Sequence, residues 1–92
     1  MAYMFVRNSV KDYETWKSVF DSESGLRADN GEKSYQILRQ DNGDNGLFLL
    51  FEWDNLDNAR KYAASPELKA AMERAGVNGK PEIFFLEEAA RG

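Results

Sequence analysis

Apolar and polar positions repeat regularly in six stretches of this chain, four with the period of a strand and two with that of a helix. The most informative is Leu47-Phe48-Leu49-Leu50-Phe51-Glu52-Trp53, which follows the turn-forming run Asp41-Asn42-Gly43-Asp44-Asn45-Gly46 and reads as a strand leaving a hairpin. Alternate side chains of a strand face opposite sides of the sheet, so Leu47, Leu49, Phe51 and Trp53 share one face and Phe48 and Leu50 the other. Both faces are apolar, and both need cover.

Tyr3 to Asn8 predicts a first strand, with Met4, Val6 and Asn8 on one side and Tyr3, Phe5 and Arg7 on the other. From Asp12 to about Glu23, Tyr13, Trp16, Val19 and Phe20 form an apolar helical stripe, with Ser9 or Asp12 as its cap. Gly25 and the Asn30-Gly31 pair are expected to end this segment. Lys33 to Gln40 alternates Tyr35, Ile37 and Arg39 against Ser34, Gln36 and Leu38; as the most polar strand it is placed at an edge. After the Leu47–Trp53 strand, Asp54 is expected to cap a helix carrying Leu56, Ala59, Tyr62 and Ala63. Ser65-Pro66-Glu67 restarts it, and Leu68, Met72 and Ala75 extend the stripe to Gly76. A Gly79-Lys80-Pro81 turn then leads to a last strand, Ile83-Phe84-Phe85-Leu86, apolar on both faces.

The order β-α-β-β-α-β predicts an α+β, ferredoxin-like split βαβ domain over residues 1–92, an antiparallel sheet with two helices on one face. Two helices roof only one side of the sheet. A second copy of the chain is the expected cover for the other, with part of the Leu47–Trp53 strand at the interface of a homodimer. A domain of this size buries only about 60–65% of its unfolded surface, a thin margin that association would widen.

Composition narrows the chemistry. Apolar content of 42% with 30% charge is that of a folded chain rather than a disordered one. No apolar run approaches the ~20 residues of a membrane helix, and Met1 to Val6 lacks the basic start of a secretory signal. With no Cys there is no disulfide framework, so a cytoplasmic location is expected. A net charge of −4 with scattered basic residues argues against nucleic acid. The absence of both His and Cys removes ordinary zinc sites, Fe–S clusters, His- or Cys-ligated haem and the usual nucleophilic triads. No metal or cofactor is expected. Asp41, Asn45 and Glu52 echo three positions of a calcium-binding loop, but Gly43 supplies no ligand and a strand follows instead of a helix, so a plain hairpin is expected.

Val10-Lys11-Asp12-Tyr13, Trp16-Lys17, Phe20-Asp21, Arg27, Gly31, Phe51-Glu52-Trp53-Asp54, Ala59-Arg60, Ser65-Pro66-Glu67-Leu68-Lys69 and Ala75-Gly76-Val77 occur in an order that resembles small proteins of the antibiotic-biosynthesis-monooxygenase group, within the dimeric α+β barrel superfamily. The resemblance covers nearly the whole chain and bears on fold more than on reaction. It implies two ferredoxin-like subunits packed through their open sheet faces. It also implies a pocket between helices and sheet in which a phenolic or quinone-like substrate reacts with oxygen without a cofactor. Other members of the superfamily degrade haem with a His ligand, which this chain lacks. Asn8 and Trp53 match pocket positions of the phenol oxygenases, and Asn8 stands where closer relatives commonly carry His.

Asn8, Arg27, Tyr35, Arg39 and Trp53 are the candidate catalytic constellation: Arg could stabilise a phenolate, Tyr relay a proton, and Asn bind an oxyanion. The plainer alternative is that Arg27 caps a helix end, Arg39 pairs with a neighbour, and the two aromatics pack. Trp16, Phe20, Glu52, Tyr62 and Met72 are candidates to contact a small aromatic ligand, the aromatics serving equally well as core. Glu52, placed inward on an apolar strand, could act as a base or pair with Arg7 or Arg39. A non-catalytic module that binds a small hydrophobic ligand stays open beside the enzyme.

Overall fold

The computed structural model describes residues 2–41 and 45–92; residues 42–44, and with them part of the calcium-loop pattern, lie outside the described residues. Strand β1 (Ala2–Val10) is followed by Asp12, whose carboxylate accepts from the Thr15 backbone N–H at 2.9 Å and its hydroxyl at 2.7 Å and so opens α1 (Tyr13–Ser22). Those two bonds hold the Asp12 carboxyl below its ordinary pKa.

The first helical arm is longer than the sequence pattern suggests. It breaks at Glu23 and resumes as α2 (Ser24–Asn30), so Gly25 lies inside a helix instead of ending one. Gly31 ends it, at a φ of 118° that a side chain rarely adopts. Strand β2 (Glu32–Arg39) and strand β3 (Gly46–Trp53) follow. Helix α3 (Leu56–Ala63) is capped by Asn55, not Asp54: the Asn58 N–H donates to Asn55 Oδ1 at 2.8 Å, while Asp54 accepts from the Asn58 side chain. Ser65 caps α4 (Pro66–Arg74), with Pro66 where the helix needs no N–H.

Strand β4 (Val77–Glu87) starts earlier than expected and contains the Gly79-Lys80-Pro81 segment as an irregularity. The pairing with β1 jumps there from Arg7↔Glu82 to Ser9↔Asn78, leaving Asn8 without a β4 partner. The sheet runs β2-β3-β1-β4, antiparallel throughout, with the polar strand β2 at an edge as its pattern requires. This is the ferredoxin-like order, with each helical arm split in two.

Met4, Val6, Val10, Leu47, Leu49, Phe51 and Trp53 face the helices and form the core with Trp16, Phe20, Ala59 and Tyr62. On the opposite face Phe5 lies between Phe48 and Phe84, each 6.2 Å away by ring centres. Phe84 and Leu86 there are both 44% exposed. The molecule measures 32 × 31 × 20 Å, the short axis being one sheet plus one helical layer. Among the described residues no helix is long and apolar enough to cross a membrane.

Candidate functional site

A cavity of ≈ 60 Å³ lies between the sheet and helices α1 and α4. Its floor comes from the inward positions of the central strands, Met4, Val6, Asn8, Leu49 and Phe51. Trp16, Val19 and Phe20 of α1 and Leu68, Ala71 and Met72 of α4 close it, because the apolar stripes of both helices point at the same patch of sheet. Tyr62, Glu23 and Arg27 complete the wall.

Arg27 is 2% exposed, an unusual position for a charge. Its Nε donates to Glu32 Oε2 at 2.7 Å and its Nη1 to the Phe20 carbonyl at 2.7 Å. The guanidinium also stacks 3.7 Å from the centre of the Phe20 ring. Nη2 is buried and has no hydrogen-bond partner among the described residues. Asn8 Oδ1 is likewise buried and unpartnered, at the point where β1 loses its pairing with β4. Both residues line the otherwise largely apolar cavity.

The surrounding charges are held in pairs. Burial raises the Glu32 carboxyl above its ordinary pKa, with the Arg27 charge and hydrogen bond opposing. Burial likewise raises the Tyr62 phenol; the Arg27 guanidinium, charged and within polar reach of the phenol oxygen, opposes it, and the nearby carboxylates of Glu23 and Glu32 add to it. Glu23 accepts from Arg74 Nη2 at 2.7 Å, tying the α1–α2 break to the end of α4. Glu23 and Glu32 were not singled out from the sequence. Their roles depend on Arg27 being buried, and the only local signal for that is a carboxylate five residues beyond an arginine.

Of the sequence candidates, Asn8, Arg27, Trp16, Phe20, Tyr62 and Met72 meet at the cavity. The others lie elsewhere. Tyr35 is 44% exposed on the edge strand and touches Phe20 edge-on at 4.9 Å. Arg39, exposed, lies 4.1 Å over the Tyr13 ring. Trp53 is fully buried, 5.4 Å from Tyr62 by ring centres, and its Nε1 has no partner among the described residues. Glu52 is on the helix-free face, half-buried, and accepts from Ser34 Oγ at 3.0 Å; Arg7 instead faces Glu82 at 3.7 Å. Arg27 does cap the end of α1, as the plainer reading of the sequence holds, and it lines the cavity as well.

No family profile and no curated protein matches the chain. Solved structures do. A mutant of SnoaB, a cofactor-independent oxygenase from Streptomyces nogalater, superposes with a TM-score of 0.77 at 20% identity, over 98% of this chain and 94% of that one. A Bordetella bronchiseptica protein provisionally named antibiotic biosynthesis monooxygenase gives 0.80 at 10% identity, over 97% of each chain. A conserved protein from Methanosarcina mazei Go1 gives 0.73 at 17% identity, over 96% and 93%. At these identities the likeness is one of fold: this chain shares the ferredoxin-like α+β fold of these proteins, and the substrate is a separate question.

Proposed function

We propose that this chain, a single 92-residue domain acting as a homodimer, binds a small phenolic or quinone-like compound in the cavity beneath α1 and α4 and oxygenates it without a cofactor. The observation that carries the reading is the pair of buried, unpartnered polar atoms, Arg27 Nη2 and Asn8 Oδ1, in an otherwise apolar wall. Each such atom costs about 1–3 kcal/mol unless something satisfies it. A ligand oxygen accepts from Arg27, a ligand hydroxyl donates to Asn8, and Tyr62, kept protonated by burial, can supply a proton. In the overall reaction the substrate is the reductant: the keto tautomer of the phenol offers a ring CH₂, which with O₂ gives a ring carbonyl and water. Trp16, Phe20 and Met72 form the apolar walls; Tyr35, Arg39, Trp53 and Glu52 stand outside this constellation.

The apolar face away from the helices supports the homodimer. Phe5, Phe48, Leu50, Phe84 and Leu86 form a patch flanked by the Arg7–Glu82 pair, and a second copy offers the same complementary surface. The Cys-free composition is the ground for a cytoplasmic location.

One observation favours a second reading, a module that binds a ligand without turning it over. The cavity, at ≈ 60 Å³, is less than half of the ~150 Å³ that holds benzene in an engineered protein interior. Oxygen uptake measured with a panel of phenols and hydroquinones separates the two. Uptake that tracks product formation supports the oxygenase, and binding without uptake selects the module.

A further inference from the structure

The charge of Arg27 is already balanced. Glu32 lies 2.7 Å away, and the side chains of the pair are 3% and 9% exposed, so the two form a buried neutral unit. Glu23 at the cavity wall pairs with Arg74, whose side chain is exposed. The remaining titratable group facing the cavity, Tyr62, is held neutral by burial. An anion entering this space would meet a hydrogen-bond donor but no net positive charge, with two carboxylates close by. Desolvating that anion would go uncompensated.

Size imposes a second limit. At ≈ 60 Å³ the cavity, which is partly open to solvent, is smaller than the ~150 Å³ that holds benzene in a protein interior, and the adaptable part of its wall is Met72, a half-buried, flexible thioether. Turning one such side chain outward makes room for one ring. Room for fused rings would require moving the α1 aromatics, which are locked by stacking at 4.9 Å between Trp16 and Phe20 and by the guanidinium on Phe20.

We propose, taking the cavity as the binding site, that it selects a neutral single-ring compound bearing one oxygen acceptor for Arg27 Nη2 and one hydroxyl donor for Asn8 Oδ1. It discriminates against phenolates, carboxylates and fused-ring compounds. The arginine is a neutral-ligand donor whose geometry is set by Glu32, and Glu32 is thereby a specificity-determining residue that need not touch the ligand.

Binding of 4-hydroxybenzaldehyde and 4-hydroxybenzoate at pH 6, followed by calorimetry, tests this directly. The two share a ring and a hydroxyl and differ in a neutral carbonyl against a carboxylate. The aldehyde is expected to bind about tenfold tighter or better. Glu32→Gln, which keeps an acceptor for Arg27 but removes the balancing charge, is expected to reverse that order. Asn8→Leu is expected to abolish the preference for 4-hydroxybenzaldehyde over benzaldehyde, and 6-hydroxy-2-naphthaldehyde is expected to bind about tenfold more weakly than the single ring. Carboxylate binding as tight as the aldehyde in the wild type, an unchanged order in Glu32→Gln, or equal binding of the fused ring overturns the assignment while leaving the cavity as the binding site. Failure of every ring compound to bind overturns the cavity reading itself.

Discussion

Arg27 touches Phe20 twice: its Nη1 donates to the Phe20 carbonyl at 2.7 Å, and its guanidinium carbon stands 3.7 Å from the centre of the Phe20 ring. One side chain therefore ends a helix, fixes the orientation of a cavity-wall aromatic and itself forms part of that wall. The geometry needs a planar fork with several donors, which a lysine lacks.

Removing that side chain exposes what it compensates. Arg27→Ala leaves Glu32 buried without its partner and the end of α1 uncapped, and is expected to cost about 3–5 kcal/mol of stability. Urea denaturation of the variant against wild type measures it. A loss under about 1 kcal/mol would show that Glu32 reaches solvent when Arg27 is gone.

Glu32 also carries a pH signature. Its pKa is raised in the folded protein above the ordinary 4.5, so the native state binds more protons than the unfolded chain between those two values. Stability contributed by this group is present at low pH and declines as pH rises through 4.5 toward the raised value. Urea midpoints across that range should fall in the wild type relative to Glu32→Gln. The opposite slope would mean that the arginine outweighs burial.

The two tryptophans should report differently on a ligand. Trp16 lines the cavity, whereas Trp53 is sealed beneath Tyr62 and does not. Trp16→Phe is expected to remove most ligand-induced fluorescence quenching and Trp53→Phe to preserve it. Loss of the signal in the Trp53 variant alone would relocate the site.

Two glycines of the first helical arm should respond in opposite directions to alanine. At Gly31 the backbone has a φ of 118° and an added Cβ would collide with the Asp54 carboxylate, so Gly31→Ala should destabilise by about 1–3 kcal/mol. Gly25 sits within α2 with nothing in the way of a Cβ, so Gly25→Ala should stabilise by about 0.5–1 kcal/mol. Thermal melts of the two variants give the comparison.

The helix-free face should hold the dimer together. Light scattering coupled to size exclusion is expected to give about twice 10.5 kDa at micromolar concentration. Phe84→Glu, placing a charge within the aromatic patch, is expected to give 10.5 kDa. A wild-type monomer would sink the proposed assembly.

Strand identity, edge position and the two-layer plan follow from local patterns, because alternation and helical stripes are properties of neighbouring residues that survive folding. The apolar character of both strand faces is legible at Leu47–Trp53 for the same reason. Caps and breaks are less so. Asp54 and Asn55 are both good caps, and the choice fell to the residue whose side chain reaches Asn58 N. Gly25 reads as a stop but sits in a helix that Gly31 ends. The site itself required tertiary structure. Arg27, Asn8 and Tyr62 come from a helix, a strand and another helix, and their burial depends on the closure of α1 and α4 over the sheet. Nothing local in the sequence distinguishes Arg27, 2% exposed, from exposed Arg39. Burial is a sum over distant segments, and only the packed chain decides which charge loses its water.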